Sequence, residues 1–167
     1  RFIVSEQLKQ IGIGKSTILL EPVGRNTASA ITAAALQTIK MKIDDALLLV
    51  LSADHNIVNT ESFHEAIRMA VTQAQNSKLV VFGIAPTHPN TGYGYLKADF
   101  NSNEKFIPVD KFVEKPNKSL AEKYIQDGRY FWNSGMFVFK PEFFINELSF
   151  YSKDIVDAIQ AASDNSI

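Results

Sequence analysis

Cysteine is absent from the 167 residues, which excludes disulfides, thiolate zinc sites and cysteine nucleophiles. That absence fits a reducing compartment, and the cytoplasm is the expected location. An excess of charge of either sign is also lacking: 17 basic side chains stand against 18 acidic ones, a formal net charge of -1. The broad basic field of a non-specific nucleic-acid binder is thereby excluded, while a local basic site for a small anion stays open. No apolar run approaches the ~18 residues needed to cross a bilayer, and no basic segment precedes a signal-type stretch, so no membrane role is expected. The three histidines, His55, His64 and His88, are scattered without metal-pair spacing, which argues against zinc. There is no initiator methionine. The sequence starts at Arg1 with Phe2-Ile3-Val4, which reads as the inside of a strand and suggests a start within a longer protein.

What is present is an ordinary globular composition, 46% hydrophobic and 21% charged, of a length suited to one domain. Apolar periodicity alternates between strand and helix in the first half, the pattern of a layered α/β fold. Thr17 to Leu20 is a short apolar run, and Ala28 to Lys40 is a helix that Asn26 or Thr27 can cap. Ala46 to Leu51 is continuously apolar, as expected of a central parallel strand covered on both faces. A helix capped by Thr60 follows, with Phe63, Ala66, Ile67, Ala70 and Val71 on one stripe, and Leu79 to Ile84 is a further buried strand. The second half offers strands at Tyr95 to Asp99 and Pro108 to Glu114, so some pairings are expected to be antiparallel. Ser119 and Glu122 have capping-box spacing before a helix that Gly128 ends. Tyr130 to Lys140 reads as a strand interrupted at Asn133-Ser134-Gly135, and Pro141 opens the next helix.

Several segments carry chemistry, each with a plain alternative. Gly12-Ile13-Gly14-Lys15-Ser16-Thr17 ends like a phosphate-binding loop, but Lys9 occupies the position where such a loop needs its first glycine, and a helix-to-strand turn is preferred. Gly24, Asn26 and Thr27 stand before a helix N-terminus, where backbone and side-chain groups could read a base or ribose, or simply form a turn with a cap. Asp54 follows the most apolar strand, where open α/β sheets place their ligand crevice; it could hold Mg²⁺ against phosphates or cap its own loop. Thr91-Gly92-Tyr93-Gly94-Tyr95 brings backbone free of side chains between tyrosines able to wall a pocket, or is a glycine-rich turn. In Glu114-Lys115-Pro116, extended backbone would send the two charges to opposite faces unless Pro116 forces a bend.

Taken in order, EPVGRNTA, LLLVLSADH, PNTGYGYL, FVEKP and FWNSGMFVF resemble the mannose-1-phosphate guanylyltransferases, within the sugar-phosphate nucleotidyltransferases, from Arg1 to about Tyr151. The resemblance implies a Rossmann-like mixed, mainly parallel sheet with helices on both faces, and transfer of GMP from GTP to mannose 1-phosphate with Mg²⁺. It further implies that Gly24, Asn26 and Thr27 lie against the guanosine, that Asp54 is a metal ligand, and that Gly94, Glu114 and Asn133 contact the sugar. Lys115 would meet the sugar phosphate and, with Asp54, form the catalytic set. The family's start, of the type GGxGxRLWPxS, is not found in the sequence, nor is a second metal-binding aspartate. The expectation is therefore a central part of the domain, incomplete at both ends, lacking the N-terminal strand and loop and inactive on its own. GTP and mannose 1-phosphate are the expected partners, and a homo-oligomer stays open. Two alternatives stand beside this: a nucleotidyltransferase for another base or sugar 1-phosphate, and a non-catalytic module that binds sugar phosphate.

Overall fold

The computed structural model describes residues 2–98 and 106–164. In chain order its elements are α1 (Phe2–Gln10), α2 (Asn26–Lys40), β1 (Leu48–Val50), α3 (Thr60–Gln75), β2 (Val80–Ile84), β3 (Tyr95–Ala98), β4 (Val109–Val113), α4 (Lys118–Asp127), β5 (Tyr130–Phe139) and α5 (Pro141–Asp164). They fall into two compact units, residues 1–46 with 140–167, and residues 47–139. Among the described residues no helix is long and apolar enough to cross a membrane.

In the first unit α2 packs along α5, and small side chains make close approach easy: Ser29 and Thr32 are buried with Ile31 and Ala35. Thr32 turns its hydroxyl back onto the Ala28 carbonyl at 2.7 Å, which satisfies a polar group that burial would otherwise penalise. No side chain caps α2; Arg25 occupies the cap position, so neither Asn26 nor Thr27 plays the expected part, and Asn26 is already the first helical residue. Phe2 to Val4 are not strand but the first turn of α1, a helix without buried residues. Thr17 to Leu20 form no strand either. A short apolar run becomes a strand only when a neighbour pairs with its backbone, and Leu19 and Leu20 remain exposed.

The second unit is built around β5. Its Val138 lies opposite Leu49 of β1 on one side and Val80 of β2 on the other, while further back Trp132 faces Tyr95 of β3. β4 completes the sheet beyond β3. Every one of these pairings is antiparallel, which corrects the expectation of a mainly parallel, Rossmann-like sheet. β1 and β2, the two apolar strands of the first half, never pair with each other, because β5 arrives late in the sequence and lies between them. Ala70 and Ala74 of α3 pack on Val138, and Ala121 and Tyr124 of α4 pack on Tyr95, giving two separate cores over the sheet.

Helix ends in this unit depend on residues one or two positions before the expected ones. Asn59, not Thr60, accepts the Ser62 amide at 3.0 Å, and Asn117, not Ser119, accepts the Leu120 amide at 2.9 Å. Gly128 ends α4 in the left-handed conformation (φ 74°), as expected of a glycine terminator. Asp99 and residues 100–105, which border the expected end of β3, lie outside the described residues.

Candidate functional site

A cleft of about 580 Å³ opens in the second unit, lined from five separate stretches of chain, among them Ile84 at the end of β2. The loop after β1 brings Asp54, the loop before β3 brings Tyr93 and Gly94, the end of β4 brings Glu114 and Lys115, and the middle of β5 brings Trp132 to Met136. Five of the eight residues singled out from the sequence therefore meet here: Asp54, Gly94, Glu114, Lys115 and Asn133. Gly24, Asn26 and Thr27 belong to the first unit, where all three are exposed ahead of α2 or at its start.

Five consecutive residues of one strand lining one cleft is at odds with strict alternation of side chains. β5 manages it through a bulge. Val81 pairs with Phe137 but Gly83 with Asn133, so the register slips, and Gly135 adopts φ 71°. Ser134 holds the distortion: its hydroxyl donates to the Phe82 carbonyl at 2.7 Å and accepts from the Met136 amide at 3.2 Å. Asn133 is gripped from two directions, its amide donating to the Gly94 carbonyl at 2.8 Å and its side-chain oxygen accepting from the Gly135 amide at 3.2 Å.

Glu114 and Lys115 do not point to opposite faces. Lys115 takes a left-handed backbone (φ 40°) ahead of the buried Pro116, and its ammonium turns back to the Glu114 carboxylate at 3.5 Å. Both side chains stay more than half exposed, so the pair contributes little to stability and both groups remain available to a ligand. Gly94 is needed for space: a Cβ there would stand 2.8 Å from Phe112 Cζ and 3.0 Å from Glu114 Oε2. Any larger residue would push the carboxylate aside.

Trp132 carries no individual signal of a site in the sequence. It is the sole tryptophan, with His88 (5.0 Å between ring centroids) and Tyr93 (5.2 Å) edge-on to it, and its indole nitrogen is buried without a hydrogen-bond partner among the described residues. Its place beside Asn133 in FWNSG was the available signal, but alternation would have assigned the two to opposite faces. The cleft thus presents two carboxylates, one ammonium, the carboxamides of Asn56 and Asn133 and bare glycine backbone against an aromatic wall, a set suited to hydroxyls and a phosphate. No cluster of three metal-ligating side chains occurs among the described residues.

Sequence comparison decides the family: residues 1–166 match the nucleotidyl transferase family. The chain belongs to it. The sequence is 49% identical over 165 residues to a mannose-1-phosphate guanylyltransferase of Klebsiella pneumoniae, covering 97% of this chain and 35% of that protein. It is 47% identical over 162 residues to the xanthan biosynthesis protein XanB of Xanthomonas campestris pv. campestris (strain B100), covering 97% of this chain and 34% of XanB. Among solved structures, one from Thermus thermophilus, described as a mannose-1-phosphate geranyltransferase, superposes with TM-score 0.83 at 29% identity, over 98% of this chain and 47% of that one. Another, described as a mannose-6-phosphate isomerase from Helicobacter pylori, gives TM-score 0.84 at 34% identity, over 95% of this chain and 59% of that one. The chain spans about a third of the length of the curated relatives it matches.

Proposed function

We propose that the full-length protein transfers GMP from GTP to mannose 1-phosphate, and that this chain is a central part of its catalytic domain, carrying the sugar-phosphate side of the site. The observation that carries this is the convergence of Asp54, Gly94, Glu114, Lys115 and Asn133 on one cleft. The high identity to mannose-1-phosphate guanylyltransferases over nearly the whole chain supports the choice of substrates.

In the reaction a phosphate oxygen of mannose 1-phosphate attacks the α-phosphorus of GTP. The bond from that phosphorus to the oxygen bridging to the β-phosphate breaks, and pyrophosphate leaves with GDP-mannose formed. No protein nucleophile is required, so the protein's work is alignment and charge stabilisation. Lys115 supplies a compact cation for the sugar phosphate, and Glu114, Asn133 and the Gly94 backbone take the sugar hydroxyls. Gly24, Asn26 and Thr27 are assigned to the guanosine. Asp54 would hold Mg²⁺, which when bound offsets repulsion between the two phosphate-bearing substrates. A single exposed carboxylate suits that ion, because Mg²⁺ takes most of its remaining ligands from phosphates and water.

The test is a turnover assay of the full-length protein with Mg²⁺, each nucleoside triphosphate in turn and a panel of sugar 1-phosphates, reading pyrophosphate release. GTP with mannose 1-phosphate should give the highest kcat/KM. A higher value for another pair would overturn the substrate assignment, and no turnover with any pair would overturn the enzymatic one.

A further inference from the structure

Tyr95 is fully buried in a cleft-bearing unit, yet its hydroxyl serves neither the core nor solvent. It accepts from the Asn90 amide at 3.0 Å and donates to the Asn90 carbonyl at 2.9 Å, closing both backbone groups of one loop residue on a single side chain. Asn90 then passes the constraint outward, since its side-chain oxygen accepts from the Gly92 amide at 2.7 Å. At the far end the Asn133 amide holds the Gly94 carbonyl at 2.8 Å. The loop 90–94 is therefore fixed at both ends and in the middle, although it contains two glycines and would otherwise have many conformations. Tyr93, between those anchors, stands edge-on to Trp132 in the cleft wall.

We infer that Tyr95 is a positioning residue for the sugar phosphate: through Asn90 its hydroxyl sets the Gly92-Tyr93-Gly94 backbone against Glu114 and Asn133. The assignment rests on the guanylyltransferase reading above. A buried hydroxyl satisfied entirely by a loop backbone adds little to packing that phenylalanine would not supply. Its effect is on where the loop sits, and a displaced binding loop weakens alignment far more than it weakens the fold.

The experiment compares Tyr95→Phe with Tyr124→Phe in the full-length protein. Tyr124 packs in the same core cluster, with its ring 5.3 Å from that of Tyr95. It makes no hydrogen bond to the loop among the described residues, so its variant controls for the loss of a tyrosine hydroxyl from the same core cluster. Tyr95→Phe should raise KM for mannose 1-phosphate about tenfold, the worth of one or two hydrogen bonds, with KM for GTP unchanged. In the free protein, hydrogen exchange should speed up in peptides covering 88–94, and Tyr124→Phe should show neither effect. Should Tyr95→Phe fail to fold, Asn90→Ala removes the second clamp from a half-buried loop position and should give the same split. Unchanged exchange at 88–94, or equal KM shifts in the two tyrosine variants, would overturn the assignment. If another sugar 1-phosphate proves to be the substrate, the functional reading falls while loop exchange, and KM for that substrate, still judge Tyr95.

Discussion

Asp54 is the most exposed test of the chemistry, because it does little for the fold. It sits in the loop after β1, exposed, and makes no ion pair or hydrogen bond among the described residues. Asp54→Asn in the full-length protein should leave the melting temperature unchanged and lower turnover by about 10²-fold, the scale of one lost preorganised contact. Raising Mg²⁺ should restore part of the activity, since the charge lost is the one that would recruit the ion. Wild-type rates at limiting Mg²⁺ would remove Asp54 from the site. The sequence pointed to Asp54 because a carboxylate directly after an apolar strand is locally visible. It could not show that Lys115 turns back on Glu114, which depends on a positive φ next to Pro116 that no periodicity encodes.

Single elements carry two further expectations. α4 is capped by Asn117, so Asn117→Ala should cost about 1 kcal/mol, while Ser119→Ala should fall within measurement error. Chemical denaturation of both variants checks this, and the reverse order would restore the capping box that the S-x-x-E spacing suggested. The spacing marks a helix start, while the side chain that closes on the first free amide is decided by the φ and ψ just before it. On the β3–β4 hairpin, Lys97 and Asp110 form an ion pair at 2.6 Å across the two strands. The hydrogen bond from Lys97, then its charge, holds the Asp110 carboxyl below the usual range, and the same hydrogen bond raises the Lys97 ammonium. A depressed carboxyl stabilises the fold above its unfolded pKa and loses that contribution as pH falls through its folded value. A raised ammonium keeps its contribution below the ordinary lysine value and loses it as pH climbs through the raised one. The destabilisation caused by Asp110→Asn should thus be full near neutral pH and vanish on the acid side, as thermal melts across pH will read. A pH-independent difference would mean that the pair does not act through charge.

At the scale of the whole molecule, β5 is the strand on which the second unit depends. It is hydrogen-bonded to β1, β2 and β3, whereas among the described residues β4 pairs with β3 alone. Amides of β5 should consequently exchange the slowest and those of β4 among the fastest of the strands, since opening β5 breaks three pairings at once. Faster exchange in β5 than in β4 would contradict that architecture. A mainly parallel sheet centred on the apolar run at 46–51 would have predicted the greatest protection there instead.

The sequence by itself determined what short range controls: the helix from Ala28 to Lys40, the one that starts near Thr60 and the one between Ser119 and Gly128, the glycine that ends α4, the proline that opens α5, and the ordered motifs that mark the family. It also supplied the five residues that meet in the cleft, through their motifs rather than through any visible contact. Tertiary structure alone decided strand direction, the insertion of β5 between β1 and β2, and the bulge between Asn133 and Phe137 in the strand that lines the cleft. The physical reason is that a continuous apolar run reports burial on both faces, which a central antiparallel strand can also have, and so does not fix strand direction. Direction and register are fixed by hydrogen bonds between segments that, in the case of Ser134 and Phe82, lie 52 residues apart.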